Sequence, residues 1–168
     1  LSKTSSLDSL PFNTVTTVHM PELAEVEFYR KRWSVGQGAK ILNVEVHPNS
    51  RIFRETDAST IVRELRGSVL RESAAAAKQM LFRFSKKQWL GLHLGMTGEL
   101  STEPKDYPVQ KHDHFVLRQK QHSLVFSDPR MFGRLQYHRG TRPPAWWTSI
   151  APAILSEQFT KVALADFL

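Results

Sequence analysis

The chain has 168 residues, 40% of them hydrophobic, so it can bury one compact core and forms one domain or slightly more. Its 23 lysines and arginines outnumber 16 aspartates and glutamates, and the net charge of +7 favours a polyanionic partner, although a basic protein without such a partner has the same composition. This sequence has no cysteine for a disulfide or a thiolate-bound zinc, and no apolar run that is long enough for a transmembrane helix.

The first part of the chain differs in character from the rest. Residues 1–19 are rich in serine and threonine, and they lack both the basic and apolar regions of a signal peptide and the arginines of a transit peptide. We therefore expect them to be upstream sequence or a disordered extension, with Met20 as the functional start.

The sequence Met20-Pro21-Glu22 offers an unusual chemical possibility. If Met20 is removed, Pro21 becomes the N-terminal residue, and its free secondary amine can attack an aldehyde-like carbon to form a Schiff base. Glu22 and Glu25 place carboxylates nearby, where Glu22 can act as an acid or base and Glu25 can orient the site or the helix. For an isolated sequence of this kind, the alternative is a proline that simply starts a helix.

Hydrophobic periodicity predicts the elements that follow. A helical stripe predicts a helix over Glu22–Trp33, alternation predicts a strand over Lys40–His47, and a second stripe predicts a helix over Asp57–Arg66. Six further strands are predicted: Val69–Glu72, Gln79–Phe84, Gln88–Leu94, His114–Arg118, Leu124–Phe126 and Gly133–Tyr137. The predicted fold class is α+β, an antiparallel β-sandwich flanked by two helices.

Two loop sequences between the predicted strands contain apolar side chains beside glycines. In His93–Gly98 (HLGMTG) the glycines make a tight turn that pushes Met96 outward, although most methionines pack in a core. In Asp128–Gly133 (DPRMFG) a turn carries Phe132, which for an isolated sequence could equally lie in the core.

Together with the octapeptide Met20–Glu27 (MPELAEVE), these loops resemble the formamidopyrimidine-DNA glycosylase / endonuclease VIII family of base-excision enzymes. Chains of that family open with Pro-Glu-Leu-Pro-Glu-Val-Glu, and their loops read His-Leu-Gly-Met-Ser-Gly and Asp-Pro-Arg-Arg-Phe-Gly. Ala24 and Met131 depart from this pattern. The resemblance covers residues 20–139, favours the formamidopyrimidine branch, and implies the β-sandwich of the family's N-terminal domain.

The resemblance also implies an activity in base-excision DNA repair. It implies a bifunctional DNA glycosylase and abasic-site lyase that removes oxidised purines, 8-oxoguanine and formamidopyrimidine, through a Schiff base on Pro21, with Glu22 as acid/base partner. Lys78 matches the lysine that contacts the phosphate and base region of the lesion. The preceding residues Ala74–Ala77 stand where the family has basic residues and glycine, so the grip on phosphate is expected to be weaker. The alternative for Lys78 is a solvated lysine at a strand edge.

Four further residues are expected to bind DNA by the same resemblance. Met96 would fill the hole left by an extruded base, Arg130 would face the orphaned partner base, and Phe132 would wedge between base pairs. His112 would donate to a DNA phosphate. The sequence Lys111-His112-Asp113-His114 also has a spacing that metal sites use, but it places no third ligand and no metal is predicted.

The domain organisation is expected to have three parts: an extension over 1–19, a catalytic domain over 20–139, and a linker over 140–168 towards a C-terminal DNA-binding domain. The family's zinc finger belongs to that second domain, so no cofactor is predicted for this chain. The expected partner is double-stranded damaged DNA, bound by a monomer in the bacterial cytoplasm, near the nucleoid, with no membrane. For this piece alone we expect weak binding and poor activity.

Two other interpretations remain open from the sequence. In one, the chain is a non-catalytic, truncated DNA-binding remnant whose extension blocks Pro21. In the other, it is a basic β-domain that binds RNA, although few aromatic residues are arranged for stacking on bases.

Overall fold

The computed structural model describes residues 23–150, and its regular elements alternate short helices with an antiparallel run of strands. In chain order they are α1 (Leu23–Arg32), β1 (Asn43–Val46), α2 (Ala58–Leu65), β2 (Leu70–Ala76), β3 (Gln79–Phe84), β4 (Gln88–His93), β5 (Glu99–Pro104), β6 (Asp113–Arg118), β7 (His122–Ser127), β8 (Arg134–Arg139) and α3 (Ala145–Thr148). No helix within this range is long and apolar enough to cross a membrane.

The strands form two four-stranded antiparallel sheets. Sheet one has the order β1-β6-β7-β5 and sheet two the order β2-β3-β4-β8. This arrangement, with α1 and α2 alongside, confirms the predicted α+β sandwich.

One strand was missed by the sequence prediction. β5 (ELSTEP) lies at the edge of sheet one and pairs only with β7, and Leu100 is its one buried residue. Its two glutamates and terminal Pro104 have low β propensity, so its pairing with β7 decides the conformation rather than its own composition. For the same reason β2 extends through Ala74–Ala76, beyond the predicted end at Glu72, because these alanines pair with β3.

Trp33 connects the two sheets at the centre of the core. Its ring is fully buried and lies 5.0 Å from the Phe82 ring of sheet two and 6.4 Å from the Phe115 ring of sheet one. The indole N–H donates to the carbonyl oxygens of Ser101 at 3.1 Å and Val125 at 3.3 Å. The end of the first helix is thereby fixed against the sandwich by an apolar ring with a satisfied polar atom.

Residues 140–150 follow β8, and the sequence GTRPPAWW within them predicts a loop with aromatic side chains prone to exposure, which the structure corrects. They include the short helix α3, and Trp146 and Trp147 are only partly exposed. The Trp146 ring lies directly on Gly91 of β4, where any Cβ atom would overlap it. The absence of a side chain at Gly91 therefore gives the indole a place on the outer face of sheet two.

Strand register brings several connections to one end of the sandwich. Gln79, at the start of β3, pairs with His93, which in turn pairs with Arg134 at the start of β8. In sheet one, Ser127 at the end of β7 pairs with both Glu99 and Asp113. The β2–β3 turn, the loops 94–98 and 128–133 and the start of β6 therefore share what we call the loop end. The β3–β4 turn lies at the opposite hairpin end.

Candidate active site

Five of the seven site residues predicted from the sequence lie at the loop end. Their side chains come from four different connections, and they are Lys78, Met96, His112, Arg130 and Phe132. The other two, Pro21 and Glu22, lie outside the described residues.

A buried carboxylate holds the two glycine loops together. Asp128 is fully buried, and its Oδ1 accepts from the Thr97 hydroxyl at 2.6 Å and from the Arg130 N–H at 3.3 Å. Its Oδ2 accepts from the Gly133 N–H at 2.7 Å. Because a buried carboxylate without donors is very unfavourable, these bonds fix loop 128–133 and attach loop 94–98 to it.

The same two loops touch each other through their backbones. Gly95 has a φ of +67°, and a Cβ atom there would lie 2.6 Å from the Gly133 nitrogen and from the Phe132 carbonyl carbon. Only glycine combines this left-handed conformation with so close an approach. The two loops that carry Met96 and Phe132 are therefore one rigid unit rather than two independent turns.

This unit presents an apolar and cationic surface to solvent. The Phe132 side chain is 45% exposed, and the Arg130 guanidinium carbon lies 4.8 Å from the centroid of its ring. Neither Phe132 nor Met96 belongs to the buried core, which rules out the core placement that was the alternative for each. Met131, between Arg130 and Phe132, has a φ of +54°, so the backbone turns sharply there.

Positive charge surrounds His93 at the end of β4. Burial lowers the pKa of His93, and the positive charges of Arg134, Lys78 and Arg54 lower it further, in that order. Its Nδ1 accepts the Gly95 N–H at 2.9 Å, so the neutral ring carries its proton on Nε2. The loop end thus combines three permanent cations with a neutral imidazole N–H donor.

Lys78 lies in the β2–β3 turn, directly after Ala77. Ala77 has a φ of +48°, which is a conformation that glycine adopts more readily, and this agrees with the glycine that the resembled family has nearby. Within residues 23–150, Lys78 forms no ion pair. Its ammonium group therefore remains available for an anion.

The residues around His112 divide between solvent and core. His112 is exposed, whereas Asp113 is buried and accepts from the Tyr107 hydroxyl at 3.0 Å and the Ser127 hydroxyl at 2.7 Å. His114 is buried and its Nε2 donates to the Asp128 carbonyl at 2.9 Å. Asp113 and His114 thus have structural partners, and residues 23–150 contain no group of three or more side chains placed to hold a metal.

Helix α1 approaches the loop end through Tyr29. Burial raises the pKa of the Tyr29 hydroxyl, and the negative charges of Glu99 and Glu25 raise it further. Glu99 directly follows loop 94–98, so the helix that begins at Leu23 lies beside the loop that carries Met96. The interpretation of Glu25 as a residue that orients the helix is consistent with this position.

Sequence reasoning missed several residues that shape this end. Asp128 and His93 belong to quoted motifs, and their polar character inside glycine turns was an available signal for a positioning role. Arg54 and Arg134 gave no local signal, because only strand register and the turn before α2 bring them towards His93.

Comparison with known proteins identifies the family. Residues 20–135 match the family model described as the formamidopyrimidine-DNA glycosylase N-terminal domain. The chain belongs to this family. A formamidopyrimidine-DNA glycosylase of Laribacter hongkongensis is 36% identical over 157 residues, which cover 89% of this chain and 55% of that protein. One from Sodalis glossinidius is 34% identical over 144 residues, covering 83% and 51%. The chain therefore spans about half the length of the curated relatives it matches.

Solved structures of formamidopyrimidine-DNA glycosylases share the fold. The Lactococcus lactis protein in complex with DNA containing an oxidised pyrimidine superimposes with a TM-score of 0.66 at 28% identity, covering 71% of this chain and 44% of that one. A MutM protein in complex with DNA containing carbocyclic 8-oxo-G has a TM-score of 0.65 at 28% identity, covering 71% and 45%.

Substitution of the buried carboxylate tests its role in joining the loops. In Asp128→Asn an amide N–H₂ must face N–H or O–H donors, so we expect the free energy of unfolding to fall by about 2 to 3 kcal/mol. Thr97→Val removes only one of the hydrogen bonds and should cost about 1 kcal/mol. Urea denaturation measures both. Equal stability of Asp128→Asn and the unchanged chain would contradict the proposed role.

Buried His114 and partly buried His93 predict a loss of stability in acid. Burial lowers the pKa of His114 below the ordinary 6.5, with His47 and His112 adding to the effect, and the pKa of His93 is lowered as well. The unfolded chain then binds more protons than the folded one, so stability decreases as the pH falls below about 6.5. His114→Gln keeps an N–H donor for the Asp128 carbonyl and should flatten the profile.

Urea unfolding at a series of pH values measures this effect. His122→Gln, in a partly exposed position at the start of β7 in sheet one, serves as the matched control. If the free energy of unfolding falls equally steeply with pH in His114→Gln and in His122→Gln, His114 is not the source of the pH dependence.

Proposed function

We propose that this chain is the N-terminal catalytic domain of a base-excision enzyme, a DNA glycosylase with abasic-site lyase activity that removes 8-oxoguanine and formamidopyrimidine from duplex DNA. The observation that carries the proposal is the loop pair locked by Asp128, which exposes Phe132 and Arg130 beside cationic Lys78. A protein that only neutralises phosphates needs cations, but it does not need an exposed phenylalanine held rigidly among them.

The proposed chemistry begins at Pro21, once Met20 has been removed. The proline nitrogen attacks the sugar C1′, the bond from C1′ to the base breaks, and the base leaves with a proton supplied through Glu22. Opening of the sugar ring yields an imine between Pro21 and C1′. The imine acidifies the C2′ proton, whose loss expels the 3′ phosphate by β-elimination. This scheme uses the amine and carboxylate of the chain itself and assigns no cofactor to it.

The loop end would open the duplex for this reaction. Phe132 would insert between base pairs, at a cost of a few kcal/mol of stacking, while Met96 fills the place of the extruded nucleotide. Arg130 would hydrogen-bond the edge of the orphaned base. Lys78 and His112 would bind phosphates on either side, because both are available to solvent at this end.

The partner in this proposal is damaged double-stranded DNA, bound by a single copy of the chain, and the site of action is the bacterial nucleoid. The similar structures are complexes with DNA that contains an oxidised pyrimidine or carbocyclic 8-oxo-G, which supports this choice of substrate.

Borohydride trapping tests the proposed nucleophile. A chain that begins at Pro21 should give a covalent adduct with an abasic-site duplex, because reduction fixes the imine, and a chain that retains residues 1–20 should give none. Pro21→Gly replaces the secondary amine by a primary amine that still forms an imine, so it should lower the yield of the adduct without abolishing it, whereas Pro48→Gly, at an exposed proline elsewhere, should leave the yield unchanged. The absence of an adduct from the processed chain would support a non-catalytic DNA-binding remnant instead.

The wedge is tested by a truncation at the loop end. Phe132→Ala should lower the excision rate on a lesion duplex by about tenfold to a hundredfold, since it loses the insertion that offsets unstacking. Val109→Ala is a matched control, because Val109 is 44% exposed and Phe132 is 45% exposed. Similar rates for the two variants in single-turnover assays would contradict the wedge role.

A further inference from the structure

The hairpin end carries a basic cavity that the proposed function does not use. The cavity has a volume of about 390 Å³ and lies where β3 turns into β4, beside the end of β8. Four cationic side chains line it and no carboxylate does; they are Arg71, Arg83, Lys86 and Lys87. Trp89, Ser85 and Thr141 are among the remaining lining residues.

Two backbone irregularities bring cations to this cavity. The β3–β4 turn places Lys86 and Lys87 in succession at φ values of +63° and +62°, a region that favours glycine and asparagine. A β-bulge in β2 leaves Arg71 without a partner residue, since Leu70 pairs with Phe84 and Glu72 with Arg83. Bulges re-aim side chains, and strained residues that persist point to a use for the side chain.

Most of this charge is not neutralised within the described part of the chain. Arg83 pairs with Glu72 at 2.9 Å, but Arg71, Lys86 and Lys87 form no ion pair among residues 23–150. The Lys86 ammonium group lies 4.0 Å from the place of a Cβ atom on Gly67, and the Lys40 Cε atom lies 3.8 Å from the same place. The unpaired cations therefore attract an external anion to this end.

The chemistry of the cavity fits phosphate rather than a nucleotide base. Trp89 is only 8% exposed, its indole N–H donates to the Gly140 carbonyl at 2.8 Å, and the Arg83 guanidinium carbon lies 5.8 Å from its ring centroid. Its faces are therefore not free to stack on a base. Lysine and arginine with a neighbouring hydroxyl provide N–H and O–H donors, which suit phosphate oxygens.

We propose that the hairpin end is a second binding site for backbone phosphates of nucleic acid, separate from the loop end. The chain from Lys78 to Lys86 runs along β3 over roughly 26 Å, so the two surfaces contact different phosphates. The cations are spread over a turn and a β-bulge, so a chain of several phosphodiesters can contact more of them at once than a single free phosphate can. The site holds DNA without regard to damage, and it requires none of the Pro21 chemistry.

A double substitution tests this site without threatening the fold. Lys86→Asn with Lys87→Gly removes two charges and places the residues that favour positive φ in the turn, so the variant should unfold at an equal or higher urea concentration. Lys105→Asn with Lys120→Asn is the matched control, because it removes two exposed lysines from the loops on either side of β6, away from the lining of the cavity. Arg71→Gln is a second variant that leaves the turn unchanged.

The measurement is the affinity for a short undamaged DNA duplex over a range of salt concentrations. Each lost phosphate contact lowers the salt-dependence slope by about 0.9, so the hairpin variant should lower it by about 1 to 2, with an affinity loss of about threefold or more. Arg71→Gln should lower it by about 1, and the control variant should leave it unchanged. Because the duplex is undamaged, failure of the glycosylase proposal would not alter these results.

Two outcomes would overturn the proposal. Equal losses in the hairpin variant and the control would mean that net charge alone governs binding. If inorganic pyrophosphate binds the unchanged chain and not the hairpin variant, while duplex affinity is the same for both, the cavity takes small phosphates and not a nucleic-acid backbone.

Discussion

The interaction on which the loop end depends is the burial of the Asp128 carboxylate among donors from two loops. Thr97 is 31 residues away in the chain, yet its hydroxyl and the Gly133 N–H bind the same side chain. A charged group in the interior is favourable only when such donors are held in place, so the carboxylate and the loops stabilise each other. Phe132, which is exposed, and Met96, which is partly exposed, are held in place for that reason, although neither belongs to the buried core.

The distribution of charge gives the two ends of sheet two different chemistry. At the loop end, burial first and then the charges of Arg134, Lys78 and Arg54 lower the pKa of His93, and the neutral ring donates through Nε2. At the hairpin end, Lys86 and Lys87 lie in a turn with positive φ and Arg71 lies at a β-bulge, and the cavity that they line has no histidine and no carboxylate. One end therefore combines cations with an exposed aromatic ring and a neutral N–H donor, whereas the cavity at the other end is lined by cations without a carboxylate.

Sequence patterns predicted what depends on local periodicity and turn chemistry. The alternating strands β3 and β4 and the capped helix α2 have the positions expected, and the glycine loops form the tight turns that their composition indicates. The edge strand β5 could not be predicted, because its residues favour a loop and only pairing with β7 makes them extended. The cations close to His93 could not be predicted locally, because their positions depend on the register of three neighbouring strands. The hydrogen bond from Thr97 to Asp128 could not be predicted either, because it joins two loops that are distant in the sequence.

The contact between Trp146 and Gly91 has a practical consequence. The indole rests on a strand at the middle of sheet two, where its fluorescence responds to the distance between segment 140–150 and the sandwich. With the other three tryptophans replaced, the emission of Trp146 alone would distinguish lifting of this segment from melting of the whole domain. Because Gly91 has no side chain, the Trp146 indole packs on β4, and its fluorescence can report whether segment 140–150 detaches before the β-sandwich unfolds.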